Sequence, residues 1–250
     1  MQGLPTARVL RLFGALVLAC SANSAHAQID PGQFTVRSAS AQHLVSANQL
    51  LTPKKAQKAI VQAREAILQG RFEEADKQVK RALDIFPHCA RALTFEGILK
   101  IHDGNDPEAV RLFQEAIDAD PTLGVAYLAL GQILNKQGRF KEALFTLDRA
   151  AAFLPGVWSV YFETARARLG VGEVQSGLTE IAYAERFVGG DAEKISALSL
   201  LRGVAHVQLK DFASAKGYLN EAIERDPKGP YAMLAQNALE QIRPFLGNAK

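Results

Sequence analysis

Residues 124–157 read GVAYLALGQILNKQGRFKEALFTLDRAAAFLPGV, and the spacing of their small and large residues recurs along most of the chain. Pro155 closes this stretch, and Pro87, Pro121 and Pro227 close comparable ones; the first three prolines stand 34 residues apart, and Pro227 lies two such periods plus four residues past Pro155. Five residues before each proline is an alanine, at Ala82, Ala116, Ala150 and Ala222, and seven before those is another, at Ala75, Ala109, Ala143 and Ala215. Val79, Phe113, Leu147 and Leu219 keep the large apolar place between them, and Glu96-Gly97, Leu130-Gly131 and Arg202-Gly203 occupy matching positions. A fixed period of this length predicts one supersecondary unit repeated and stacked. Small residues let helices approach closely, large ones fill the space between them, and a proline after a helix cannot extend its hydrogen-bond ladder.

The pattern resembles the tetratricopeptide repeat, a 34-residue helix-turn-helix unit. In the quoted stretch Tyr127, Leu130, Gly131, Gly138, Phe140, Ala143, Leu147, Ala150 and Pro155 all stand where that family places its own residues. The copy before it has Asp106 where the turn normally carries an aromatic. The copy from Trp158 has Gly177 for its first alanine, no closing proline and four extra residues around Gly189-Gly190-Asp191, while Ala165, Ile181 and Ala184 hold the register. The resemblance implies an all-α protein, an α-solenoid of five repeats over 56–229, divided as 56–89, 90–123, 124–157, 158–195 and 196–229. No single unit buries its apolar face, so the last one needs a polar cover. Residues 230–250 are expected to supply it, with Tyr231, Leu234, Ala235, Ala238, Leu239 and Ile242 on one helix face, Gln236, Asn237, Glu240, Gln241 and Arg243 on the other, and Pro244 as the stop. Residues 28–55 fit no repeat: 28–38 read as a tether, and a short helix from Ser40 to Leu50 reads as an N-terminal cap or a continuation of the tether. Thr52-Pro53 reads as an N-cap followed by proline at the first helical position.

Residues 1–27 have the form of a secretory signal peptide. Arg8 and Arg11 precede the nine-residue apolar run Leu12 to Cys20, and Ala25-His26-Ala27 supplies a small-x-small cleavage site. The run falls well short of the ~20 apolar residues that span a bilayer. Cleavage after Ala27 would send the chain to the periplasm or the medium of a bacterium. The alternative is processing at Val17-Leu18-Ala19-Cys20, with lipidation of Cys20 and attachment to the outer membrane. Membrane contact is expected only in that case.

Composition sets bounds on the partner. The chain has 250 residues, 48% of them hydrophobic and 22% charged, with a net charge of +3. Without the first 27 residues, 27 Lys and Arg stand against 26 Asp and Glu, which leaves no basic stripe for nucleic acid. Two cysteines make no disulfide framework. His88-Cys89 and His102 lack paired ligand spacing for a metal, and Cys89 has Phe95 where a phosphate loop would carry an arginine six residues on. Gly170-Val171-Gly172 with Gly177 has no preceding strand, and Asp103 to Asp106 lacks the terminal glutamate of a calcium loop. The carboxylates are dispersed among lysines and arginines. The sequence therefore predicts a scaffold without catalytic residues, cofactor or metal.

The resemblance further implies that the first helix of each unit lines a concave face that holds a protein or peptide. Mapping the family's contact positions gives the candidate groove Ile60, Arg64, Arg91, Thr94, Ile98, Leu128, Gln132, Phe162, Arg166, Leu200 and Val204. Chaperone-binding members carry a clamp of lysines, asparagines and arginine here, whereas these positions are largely apolar. The expected partner is an amphipathic helix or apolar segment with an acidic flank, held along Leu128, Phe162, Leu200 and Val204 with Arg64, Arg91 and Arg166 toward one end.

Overall fold

The computed structural model describes residues 46–246, all of whose regular elements are helical. The expected leader, Cys20 and residues 28–45 lie outside the described residues. Twelve α-helices follow in chain order: α1 (Ala47–Leu51), α2 (Lys54–Leu68), α3 (Phe72–Ile85), α4 (Ala90–His102), α5 (Asp106–Ala119), α6 (Gly124–Lys136), α7 (Phe140–Phe153), α8 (Trp158–Gly170), α9 (Val174–Glu185), α10 (Ala192–Gln208), α11 (Phe212–Arg225) and α12 (Pro230–Ile242). A 3-10 turn, Arg243–Phe245, ends the series. The fold is all-α, built of antiparallel helix hairpins in the manner of an α-solenoid.

Each helix stops for a local reason. The residue before a proline is pushed out of the helical region by the ring. Phe86, Asp120 and Asp226 accordingly share one backbone conformation, with φ of −143°, −144° and −143°. Inside the hairpins the turn residue adopts positive φ, at Gly70, Gly104, Gly138 and Gly172. Lys210 stands in the same turn of the last hairpin at φ 60°, a conformation that costs a side-chain-bearing residue about 1 kcal/mol. Asn105, Asp191 and Asp211 cap α5, α10 and α11 by accepting from the backbone N–H three residues on. Thr52 does not cap α2 as expected: its hydroxyl donates to the Asn48 carbonyl at 2.6 Å, and Pro53 takes the cap position with no side-chain bond.

The chain forms two compact units. In the first, residues 46–134 and 145–157, neighbouring helices α2 to α5 pack in sequence. In the second, residues 135–144 and 158–246, α8 to α12 do the same. One device serves both units. At a fixed place in the first helix of each hairpin stands a residue with little or no side chain: Ala63, Gly97, Gly131, Ala165 and Gly203. Sixteen residues on, in the second helix, stand Val79, Phe113, Leu147, Ile181 and Leu219, all essentially fully buried. The glycines go with Phe or Leu and the alanines with Val or Ile, so the pair keeps a constant fill. A Cβ added at Gly97 would lie 2.5 Å from the Phe113 ring, one at Gly131 2.5 Å from Leu147, and one at Gly203 2.7 Å from Leu219. Gly131→Ala should therefore destabilise by about 1–3 kcal/mol through overpacking. Adding Leu147→Val, which copies the Ala63 and Val79 pair, should recover much of that loss. Urea melts of the single and double variants check both statements.

The second unit contains two apolar clusters. One joins Phe162, Ala165, Leu169, Ile181, Ala184 and Val188 to the inner face of α10. The other joins Leu200, Val204, Leu219 and Ala222 to Ala235, Ala238 and Ile242 of α12. Tyr231 packs against both clusters, and Gln236, Asn237 and Glu240 of α12 face solvent.

Candidate functional site

Burial divides the eleven expected groove residues. In the second unit Phe162, Arg166, Leu200 and Val204 are all buried, the three apolar ones inside the clusters just described. In the first unit Thr94 is buried and spends its hydroxyl on the Ala90 carbonyl at 2.8 Å, and Leu128 is 1% exposed. The apolar strip expected to grip a partner is thus core. Its physical cause is the tight approach of successive helices, which covers the large first-helix positions instead of presenting them. Ile60 and Ile98 are buried apart from a thin edge, and only Arg64, Arg91 and Gln132 remain partly or well exposed.

Arg166 is the sharpest departure. It was expected at one end of an open groove, yet its side chain and that of Glu163 are each 3% exposed. Arg166 Nη1 donates to both Glu163 carboxylate oxygens, at 2.9 and 2.8 Å. Asn135 Nδ2 donates to the Glu163 carbonyl and to its Oε2, both at 2.9 Å. This is a buried ion pair held in place by an amide, not a surface for a ligand.

One open cleft lies in the first unit. Gln57, Ile60 and Val61 of α2, Arg91 of α4 and Asp120 line a cleft of about 160 Å³ together with Asn48, Gln49 and Thr52. The Arg91 side chain has no ion pair among the described residues, and Arg64, one helical turn beyond Ile60, has a buried Nε without a partner. Gln132 Oε1 is likewise buried and unpartnered. Arg64, Arg91 and Gln132 come from α2, α4 and α6, the first helices of three hairpins. Asp120 adds a carboxylate to the same lining, where it accepts from the Thr122 N–H and hydroxyl and from Ser46.

Sequence reasoning missed the wall formed by residues 46–52. Ser46 caps α1 by accepting from the Gln49 N–H at 3.1 Å and also donates to Asp120 Oδ2 at 2.5 Å. Asn48 Nδ2 donates to the His88 carbonyl at 2.6 Å and to the Ala119 carbonyl at 3.4 Å, while its Oδ1 accepts from the Ala90 N–H at 3.2 Å. The hydroxyl at Ser46 was a legible helix-start signal. Nothing local in the sequence marks an asparagine that reaches 40 or more residues away.

Cys89 is buried, and burial pushes its thiol up against smaller downward pulls from the Ala92 N–H and the Thr52 hydroxyl, which disfavours the thiolate a nucleophile needs. Among the described residues no group of three or more His, Cys, Asp or Glu is placed to hold a metal. No helix among them is long and apolar enough to cross a membrane.

A stack of helix hairpins at a fixed sequence period defines a class of helical repeat protein. Family comparison makes it specific. Three tetratricopeptide repeat models match residues 60–123, 100–169 and 198–228, together more than half of the chain. The chain is a tetratricopeptide repeat protein. Solved structures of similar fold include YrrB, described as a TPR protein with an unusual peptide-binding site, at 23% identity and TM-score 0.56, covering 74% of this chain and 92% of that one. PilF of Pseudomonas aeruginosa matches at 14% identity and TM-score 0.60, covering 78% and 93%. PilW, described as a widely conserved type IV pilus biogenesis factor, matches at 23% identity and TM-score 0.60, covering 75% and 84%. No curated protein matches the sequence significantly.

Proposed function

We propose that this chain is an exported, non-enzymatic scaffold that binds a protein or peptide partner on the first-helix face of its first unit. The observation that carries the reading is the pair of uncompensated cations there. Arg91 is exposed and its side chain has no ion pair among the described residues, and Arg64 keeps an orphaned Nε with no carboxylate partner among them, whereas Arg71, Arg111, Arg139, Arg166 and Arg168 are each paired with a carboxylate. Guanidinium groups left free beside a cleft that also offers amides and an apolar edge suit a peptide with acidic side chains. The expected partner thereby shifts from an apolar helix to an acidic segment whose apolar contact is limited to Ile60 and Val61.

The reversal Arg64→Glu with Arg91→Glu tests this. Both side chains are at least partly exposed, so the melting temperature should hold while partner capture from envelope extract falls at least tenfold. Loss of charge pairing of this kind acts on association and should also weaken as salt is raised. Undiminished capture by the double variant sinks the site assignment.

Export rests on Arg8, Arg11, the short apolar run and Ala25-His26-Ala27. A mature N-terminus at Gln28, read by mass spectrometry, is the expected result. An acylated Cys20 would instead favour the second reading, a lipid-tethered assembly factor or accessory subunit of envelope machinery, which rests on Val17 to Cys20. The likeness to PilW concerns the fold and is compatible with either reading.

A further inference from the structure

The hairpin junctions of a helix stack leave backbone groups without intrahelical partners. In the first unit two such junctions are served by one side chain that belongs to neither. Helix α4 has Cys89 at its N-cap with no side-chain cap bond, so the Ala90 N–H is an orphan donor, and it finds Asn48 Oδ1. The His88 carbonyl just before α4 and the Ala119 carbonyl at the end of α5 both accept from Asn48 Nδ2. Ser46 adds the bond to Asp120. Thr52 lies against the Cys89 thiol, and Gln57 Nε2 donates to the Thr52 carbonyl at 2.9 Å.

Among the described residues the segment that makes these bonds has one buried residue, Thr52 at its C-terminal end. Helix α1 has five residues and none is buried. Leu50 and Leu51 are 72% and 70% exposed, so its apolar side chains contribute nothing to docking. An element with few buried apolar contacts, tied down by a handful of partly solvated hydrogen bonds, belongs to the low-stability end of a protein's opening spectrum. Its polar groups nonetheless satisfy an N–H, two carbonyls and a carboxylate that any other segment with the same donors could satisfy.

We propose that Ser46–Thr52 is a displaceable strap seated on a peptide-docking face at the α3–α4 and α5–α6 junctions, and that the partner replaces it with its own hydroxyl and side-chain amide at a helix start. The inference rests on the scaffold reading above and names the partner's chemistry: a Ser-x-Asn segment whose asparagine spans the two junctions, with acidic residues beyond it toward Arg91 and Arg64. In the strapped state the cleft is narrow and Asn48, Gln49 and Thr52 form its wall. Displacement uncovers the His88 to Ala90 backbone and the Cys89 thiol that Thr52 lies against.

Cys89 reports the strap directly. In the full chain carrying Cys20→Ser it is the sole thiol, and its alkylation by iodoacetamide measures how often the cover lifts. Asn48→Ala should speed labelling about tenfold or more, with the melting temperature held within about 2 °C because no apolar burial is lost. A synthetic acetylated and amidated peptide of sequence SANQLLT, added at millimolar concentration, should slow labelling of that variant at least twofold, and a scrambled peptide should not. Ser46→Ala, measured the same way, should raise labelling by a smaller factor. Labelling as slow in both variants as in the parent shows that the segment covers nothing. A melting temperature several degrees lower makes it a fixed cap and no strap. Fast labelling that the peptide does not slow means the face takes no such segment. None of these readouts involves the partner, so the strap can stand while capture through Arg64 and Arg91 fails, and the reverse.

Discussion

Arg166→Met should be the most damaging single substitution in the second unit, costing about 3–5 kcal/mol and lowering the melting temperature by roughly 10 °C. Glu163 and Arg166 are both 3% exposed, and each carboxylate oxygen of Glu163 is bound to the guanidinium. Methionine fills the stem's volume but leaves the carboxylate buried with only the Asn135 amide beside it. An uncompensated buried charge costs far more than the pair was worth, since desolvation had already offset most of the attraction. Glu163→Gln on the Arg166→Met background removes that charge and keeps a group able to bond Asn135. The double variant should regain more than half of the loss. Thermal melts followed by far-ultraviolet circular dichroism decide the matter, and a double variant as unstable as Arg166→Met would show that packing of the guanidinium, not charge, governs the site.

The same pair shows why the groove was misread while the fold was not. The fold is written in periodic contrasts of size that any stacking must respect: Gly131 against Leu147, Ala165 against Ile181, and a proline after Asp120 or Asp226 that stops the helix by local sterics. Those causes act within one hairpin, and one hairpin is a contiguous stretch of sequence. Exposure is different. Glu163 and Arg166 lie three residues apart on a helix, the spacing of an ordinary solvated ion pair, and only Asn135 and the neighbouring helices make it a buried one. Leu128, Phe162 and Leu200 recur in phase, which told where they sit on the first helix but not how closely the next helix covers them. The cap expected at Thr52 fails for a related reason. Thr52 before Pro53 has the form of a cap, yet its hydroxyl turns back one helical turn to the Asn48 carbonyl, and the Asn48 side chain bonds His88, Ala90 and Ala119 far along the chain.

Removing residues 230–250 should unravel the last hairpin and leave the chain prone to association. Helix α12 closes the cluster of Leu200, Val204, Leu219 and Ala222 with Ala235, Ala238 and Ile242, and Tyr231 reaches the neighbouring cluster, where its ring meets Phe162 edge-on at 6.4 Å between centroids. Returning Ile242, the buried Ala232, Ala235 and Ala238 and the half-buried Tyr231, Leu234 and Leu239 to water forfeits on the order of 5 kcal/mol at the usual area coefficient. That is a large share of a stability that for typical domains is about 5–15 kcal/mol. In a stack whose units hold only their neighbours the loss is felt first next door, so α10 and α11 should open while the first unit remains folded. Hydrogen exchange should show α11 amides losing protection by several orders of magnitude, with those of α4 and α5 unchanged, and gel filtration should show larger species. Ala238→Glu in the full chain is the milder counterpart: it places a charge in the middle of the seam and should act in the same direction with α12 still present. A truncated chain that keeps α11 protected and runs as the parent does would mean that the hairpin α10–α11 buries its own apolar face, contrary to the packing of Leu219 and Ala222 beneath α12.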